Sequence, residues 1–196
     1  MKAQRIAALL ALSILCGCAG LHSASEEEPA QAYSTHTHSA DDSHGNALLF
    51  GLLGDEKDVS KLLIIKRERA ELRDLIRAIS ETTGRAHAQL EKFAKADRFL
   101  NIKDNGLPPA EVEARKTIAK ARTKELLTES GKEFEVRLLL SQDEALVYGA
   151  HLADAALKGE KNQERAQFLR QLSNDLTNFQ QRVTAMLSSN YNWPQK

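Results

Sequence analysis

The sequence predicts an all-α fold, an antiparallel bundle of four or five helices. Three observations carry this. Proline is absent from Asn46 to Leu107 and again from Ala110 to Trp193, so nothing in those stretches forbids long helices. Apolar residues recur there every three to four positions, the spacing of one helical face. Period-two alternation and runs of β-branched residues, the marks of strands, are missing. With 42% apolar residues the chain can fill a core. Its 27 basic and 27 acidic side chains cancel, which excludes nucleic-acid binding through bulk positive charge. No run of 18 apolar residues occurs, as a permanent transmembrane helix requires.

The first element, residues 1–17, reads as a secretory signal. Lys2 and Arg5 open it, and Ile6 to Leu15 form an apolar core of about ten residues. The run Leu15-Cys16-Gly17-Cys18 resembles a bacterial lipobox, with Leu15 three positions before Cys18 and small Gly17 immediately before it. The resemblance implies that Cys18 becomes the first mature residue and carries acyl chains. Cys16 does not fit, because bulky Leu15 stands where a small residue is needed. Cleavage leaves one cysteine, itself acylated, so no intramolecular disulfide is available. More than one acyl chain gives stable membrane attachment, at about 0.8 kcal/mol per buried CH₂. Residue 19 is Ala rather than Asp, which resembles outer-membrane sorting.

Residues 18–45 read as an acylated, disordered tether. Past Cys18 they hold one Leu, one Tyr, no Lys or Arg, and the acidic Glu26, Glu27, Glu28, Asp41 and Asp42. Such a stretch cannot bury enough apolar surface to offset its ordering entropy. His36, His38 and His44, near Asp41 and Asp42, suit a weakly held divalent metal. They equally suit a plain polar spacer.

The body, residues 46–196, reads as the bundle. It carries a slight basic excess, too small to argue for a polyanion partner. The short apolar run Leu48, Leu49, Phe50, Leu52, Leu53 is expected to pack over one end of it. Helices are predicted near 56–82, 84–101, 109–129, 132–157 and 160–188, with glycines at 54, 84, 106, 131 and 159 as stops. The first two are alternatively one bent helix. Asp104-Asn105-Gly106-Leu107-Pro108-Pro109 is the clearest loop, joining turn residues to a helix-starting proline.

Three stretches of the body resemble a periplasmic, ferritin-like helical family of unknown function. They are Leu62-Leu63 through Leu75 and Ile79 to Leu90-Glu91-Lys92-Phe93-Ala94, the Leu107-Pro108 turn, and Gly131-Lys132-Glu133-Phe134-Glu135. The resemblance implies a ferritin-like bundle. Where that family carries histidines, this chain has Thr82-Thr83, Leu146 and Phe179, which weakens any metal-centre reading. The Glu-x-x-His spacing of a di-iron bundle is also absent from the sequence. Two pairs keep usable helical spacing as half-sites, His87 with Glu91 and His151 with Asp154; as surface pairs they would stabilise by a few tenths of a kcal/mol, about 0.2–0.5.

Four polar residues fall on the apolar stripes: Arg69, Thr83, Asp97 and Gln142. Turned inward, Asp97 is a candidate catalytic or ligating carboxylate and Arg69 a counter-ion; otherwise each reaches a partner or water at a bundle end. No G-x-S-x-G, Walker A, H-E-x-x-H or C-x-x-C motif occurs. The terminal Tyr191-Asn192-Trp193-Pro194 either offers an aromatic contact or folds back to cap the bundle. The expectation is therefore a non-enzymatic lipoprotein, anchored in the outer membrane and facing the periplasm. It would act as a binding or structural module, with the membrane and an envelope protein as partners and no nucleic acid. No dedicated cofactor is expected. The alternative is periplasmic metal binding.

Overall fold

The computed structural model describes residues 40–64, 66 and 68–191, with side chains from His44 onward. The predicted lipid-attachment residue Cys18, and His36 and His38, lie outside the described residues. Five α-helices follow in order: α1 (Ala40–Glu56), α2 (Ala70–Ala96), α3 (Pro109–Thr128), α4 (Gly131–Lys158) and α5 (Gln163–Tyr191). A short 3-10 segment, Val59–Ile64, lies between α1 and α2. The described residues contain no strand.

Contacts set the arrangement. α1 packs on α2 and on α4, α5 packs on α4 and on α2, and these four close a ring. Directions follow from paired positions. Gly54 faces His87 and Lys57 reaches Ser80, so α1 and α2 are antiparallel. Gly149 faces Leu52, and the Glu56 carboxyl feels the Gln142 amide, so α1 and α4 are antiparallel too. The short turn after Gly159 makes α4 and α5 a hairpin. The predicted antiparallel bundle is thus a ring of four, with α3 laid outside against α4. No helix among the described residues is long and apolar enough to cross a membrane.

Packing explains why these residues form these helices. Leu72, Leu75, Ile76, Ile79, Ala86, Leu90 and Phe93 give α2 one buried stripe. It meets Leu49 and Leu53 of α1, Leu138, Leu139 and Leu146 of α4, and Leu169, Leu172, Leu176 and Val183 of α5 in one core. Each fully buried Leu or Ile stabilises this core by about 1.5–3 kcal/mol. Gly149 lies inside α4 and has a packing role there. A Cβ there would lie 2.9 Å from Leu52 and 3.0 Å from Leu176, so its bare backbone lets α1 and α5 close on α4.

Several boundaries differ from the sequence prediction. Helix begins at Ala40, so residues 40–45, read as tether, belong to α1. The apolar run at 48–53 is not a lid over one end: Leu49 and Leu53 are fully buried between α2 and α4. The predicted 56–82 helix does not exist as such, because the chain must reverse after Glu56 to bring α2 antiparallel to α1. No break occurs at Gly84, which sits inside a continuous α2. α2 ends at Ala96 rather than at 101. There Asp97 Oδ1 accepts the Phe99 amide at 3.0 Å, and Asn101 Oδ1 accepts those of Lys103 and Asp104 at 3.0 and 2.9 Å. Such side chains compete with the helix for backbone donors. The expected loop is present, and Gly106 holds its turn at a φ of 66°.

Candidate functional site

The ring has two ends. At one, α2 and α4 begin and α5 finishes; at the other, α1 begins, α2 and α4 finish, and the 97–108 loop leads to α3. We call these the proximal-to-α2 end and the loop end.

At the proximal-to-α2 end, Arg69 and Glu135 are brought together with Tyr191. The Arg69 backbone amide donates to Glu135 Oε1 at 2.9 Å and its Nε to Oε2 at 3.1 Å. The Tyr191 hydroxyl donates to the same carboxylate, and the Arg69 guanidinium lies over the tyrosine ring, 5.0 Å from its centre. Burial pushes the Glu135 carboxyl up, but these donors outweigh it and hold it below the usual range. Burial and the adjacent carboxylate push the Tyr191 hydroxyl up to about 12. Tyr191 therefore caps the bundle, one of the two roles its sequence position allowed. The Asn192–Pro194 part of that segment lies outside the described residues. Lys66 closes the same end by donating to the carbonyls of Leu127 and Glu129 at the α3 terminus, at 2.8 and 2.5 Å.

At the loop end, Arg165 holds Asp97 at 2.6 Å and the Glu160 carboxylate through two bonds, at 2.7 and 3.0 Å. These contacts tie the end of α2 to the α4–α5 turn. The Arg165 bond, first, and then the Phe99 amide hold the Asp97 carboxyl below its ordinary range. Asp97 is thus a tie between elements, not an inward catalytic group.

Of the four stripe residues, only Thr83 and Gln142 face the core, both fully buried. Thr83 donates to the carbonyl of Ile79 in its own helix at 2.9 Å. Neither amide atom of Gln142 has a well-aligned partner. Beside it stands Glu56, 3% exposed, which the sequence reading missed. Burial pushes the Glu56 carboxyl up to about 7, against the Gln142 amide, which favours its charged form. Asp55 is pushed up to about 7 as well, by burial and by Asp58. The signal for Glu56 was available: it continues the Leu49, Leu53 stripe by one turn.

The metal candidates stay apart. The His87 ring stacks on Phe50 at 4.0 Å, and its Nε2 lies 3.5 Å from the Lys57 ammonium. Burial and that ammonium lower its pKa. Its predicted partner Glu91 pairs instead with Lys95 at 3.1 Å. His151 and Asp154 are exposed on α4. His44 Nδ1 bonds the carbonyl of Asp104 at 3.0 Å. No three His, Cys, Asp or Glu side chains converge among the described residues, so the two helical pairs do not form one site.

The remaining features are on the surface. α3 is held to α4 by Arg122–Glu144 at 2.7 Å and Arg137–Glu125 at 3.3 Å, over an open crevice of about 170 Å³. A larger groove, about 500 Å³, runs between α2 and α5 past Glu71, Asp74, Arg182 and Met186. Ile64, at 80%, and Phe99, at 79%, are large apolar residues left open to solvent. Comparison with protein-family models, with curated proteins and with solved structures finds no match.

Proposed function

We propose that this chain is a lipid-anchored lipoprotein of the bacterial envelope, attached through Cys18 at the outer membrane and facing the periplasm. Its bundle acts without catalysis, as a binding or structural module with an envelope protein partner. The observation that carries this reading is the division of the chain. Among the described residues, the core is built from side chains between Leu49 and Leu187. The basic start, the apolar stretch and the Leu15-Cys16-Gly17-Cys18 run all precede it. A signal and anchor need that placement, because cleavage and acylation then leave the packed body intact.

The described residues form a helical bundle, which supports a packed module. The chemistry of a metal centre gains no support, since His87 faces an ammonium and Glu91 is already paired.

The test is envelope fractionation of cells carrying the wild-type chain or its Cys18→Ser variant. The reading expects the wild type in the outer membrane and the variant released from it. Equal partition of the two would refute the anchor. Crosslinking in intact cells, followed by purification, tests the module: a defined crosslinked species is expected, and its absence at every surface position probed would count against a protein partner.

A further inference from the structure

We infer that the loop end of the bundle is a membrane-docking surface, which rests Phe99 and a ring of unpaired cations on the anionic headgroups of the bilayer that holds the anchor. This deepens the lipoprotein reading and rests on it.

Three independent features meet at that end. The first is an apolar residue that the fold holds outward. Phe99 is 79% exposed, yet its loop is firmly built. Asp97 accepts the Phe99 amide, Asn101 accepts two amides and donates to the Asp104 carbonyl, and Asp104 accepts the Gly106 amide at 3.0 Å. Exposure of Phe99 is therefore imposed by the loop. An aromatic ring kept in water by a rigid support loses free energy that a lipid interface would restore.

The second is charge. Arg98 lies over the Phe99 ring at 4.7 Å, and Lys103 follows in the same loop. Lys158 and Lys161 stand in the adjacent α4–α5 turn, brought alongside by the Arg165–Asp97 bond. None of these four cations has an ion pair among the described residues, whereas Asp97 and Glu160 are both taken up by Arg165. The opposite end shows what a different surface looks like. It also exposes an apolar residue, Ile64, but most of its cations are used: Lys61 by Asp58, Arg69 by Glu135, Arg73 by Glu68, and Lys66 by two carbonyls, while Lys132 lies over the Tyr191 ring. Four cations without an ion pair, beside the carboxylates of Asp104 and Glu164, thus surround Phe99 at the loop end and are free to meet lipid phosphates. A basic side chain near an anionic bilayer adds about fivefold to binding.

The third is where the chain enters. α1 begins at Ala40 at the loop end, and His44 fastens that start to Asp104, five residues from Phe99 in the same loop. The segment from Cys18 to Ala40 spans at most about 75 Å when fully extended. An anchor at Cys18 therefore joins the bundle at the same end as Phe99.

Depth-sensitive quenching tests the inference on the full chain. Phe99→Trp and, separately, Ile64→Trp are placed in a Trp193→Phe background. Each is reconstituted into phosphatidylcholine vesicles, with or without phosphatidylglycerol, whose acyl chains carry bromine. The expected result is a blue-shifted, quenched Trp at 99 on the anionic vesicles and an unquenched Trp at 64. Replacing Arg98, Lys103, Lys158 and Lys161 with Ala should lower the docked-to-undocked ratio about fivefold per cation removed. All six described sites are on the surface, and an unchanged circular-dichroism spectrum confirms the fold. An unquenched Trp at 99, equal quenching at both ends, or docking indifferent to the four cations would overturn the inference. The amino-terminal mass of the same samples reports acylation separately, so a failed anchor and a failed docking surface give different results.

Discussion

Burying the Glu56 carboxyl beside Gln142 costs more than leaving it in water, and the cost is far larger when the group is charged. The folded chain keeps that proton up to about pH 7, whereas the unfolded chain releases it near the ordinary value of 4.5. Folding therefore takes up a proton between those values. The contribution is fully present below pH 4.5 and is lost as pH rises through 7. Asp55, raised to about 7, acts in the same direction. Glu135 acts oppositely: its pKa is lowered, so its contribution is present above 4.5 and lost as pH falls through the folded value. Denaturant unfolding followed across pH separates the two. Glu56→Gln should raise stability by about 2 kcal/mol near pH 8 and by nothing near pH 4, because the neutral amide mimics the protonated acid. A loss at pH 8 would show that Glu56 is charged and satisfied in the fold.

At the scale of elements, two mid-helix glycines make the argument. Gly84 has only Lys57 Cβ near its virtual Cβ, at 3.5 Å, an ordinary contact. Gly149 would press on Leu52 and Leu176 at 2.9 and 3.0 Å. Gly84→Ala should therefore stabilise α2 by about 0.8 kcal/mol through helix propensity. Gly149→Ala should destabilise the ring by about 1 kcal/mol through overpacking, despite the same propensity gain. Thermal unfolding of the two variants checks both signs. The same pair shows what the sequence could disclose. Residue type marks where a glycine stands, but its role depends on which neighbour approaches. A helix stop at Gly84 was one of two readings, and it rested on residue type alone. The bounds of α3, α4 and α5 were readable, because proline, glycine and apolar period agree there. The reversal between α1 and α2 was not. No proline stands between Glu56 and Ala70, and the apolar spacing of Leu62 runs on toward Leu72. Gln142 and Thr83 were readable as stripe positions. Glu56 escaped because it was assigned to the helix that follows; Arg69 and Asp97 follow the reading of a partner at a bundle end, but which partners, Glu135 and Arg165, was invisible in one dimension.

For the whole molecule, the unequal ends give the bundle a direction. One end spends most of its cations on carboxylates and helix carbonyls; the other leaves four of them without an ion pair around an exposed aromatic, at the end where α1 begins. Salt should weaken contact between that end and an anionic surface, since exposed charges are screened within about 8–10 Å at ordinary ionic strength. All of this depends on the chain being fastened to lipid through its amino terminus. The most direct measurement is the mass of the mature amino-terminal peptide from protein purified out of the envelope. A peptide that begins at Cys18 and carries acyl chains is the predicted result. A peptide that retains Met1, or begins anywhere else without lipid, would contradict the account.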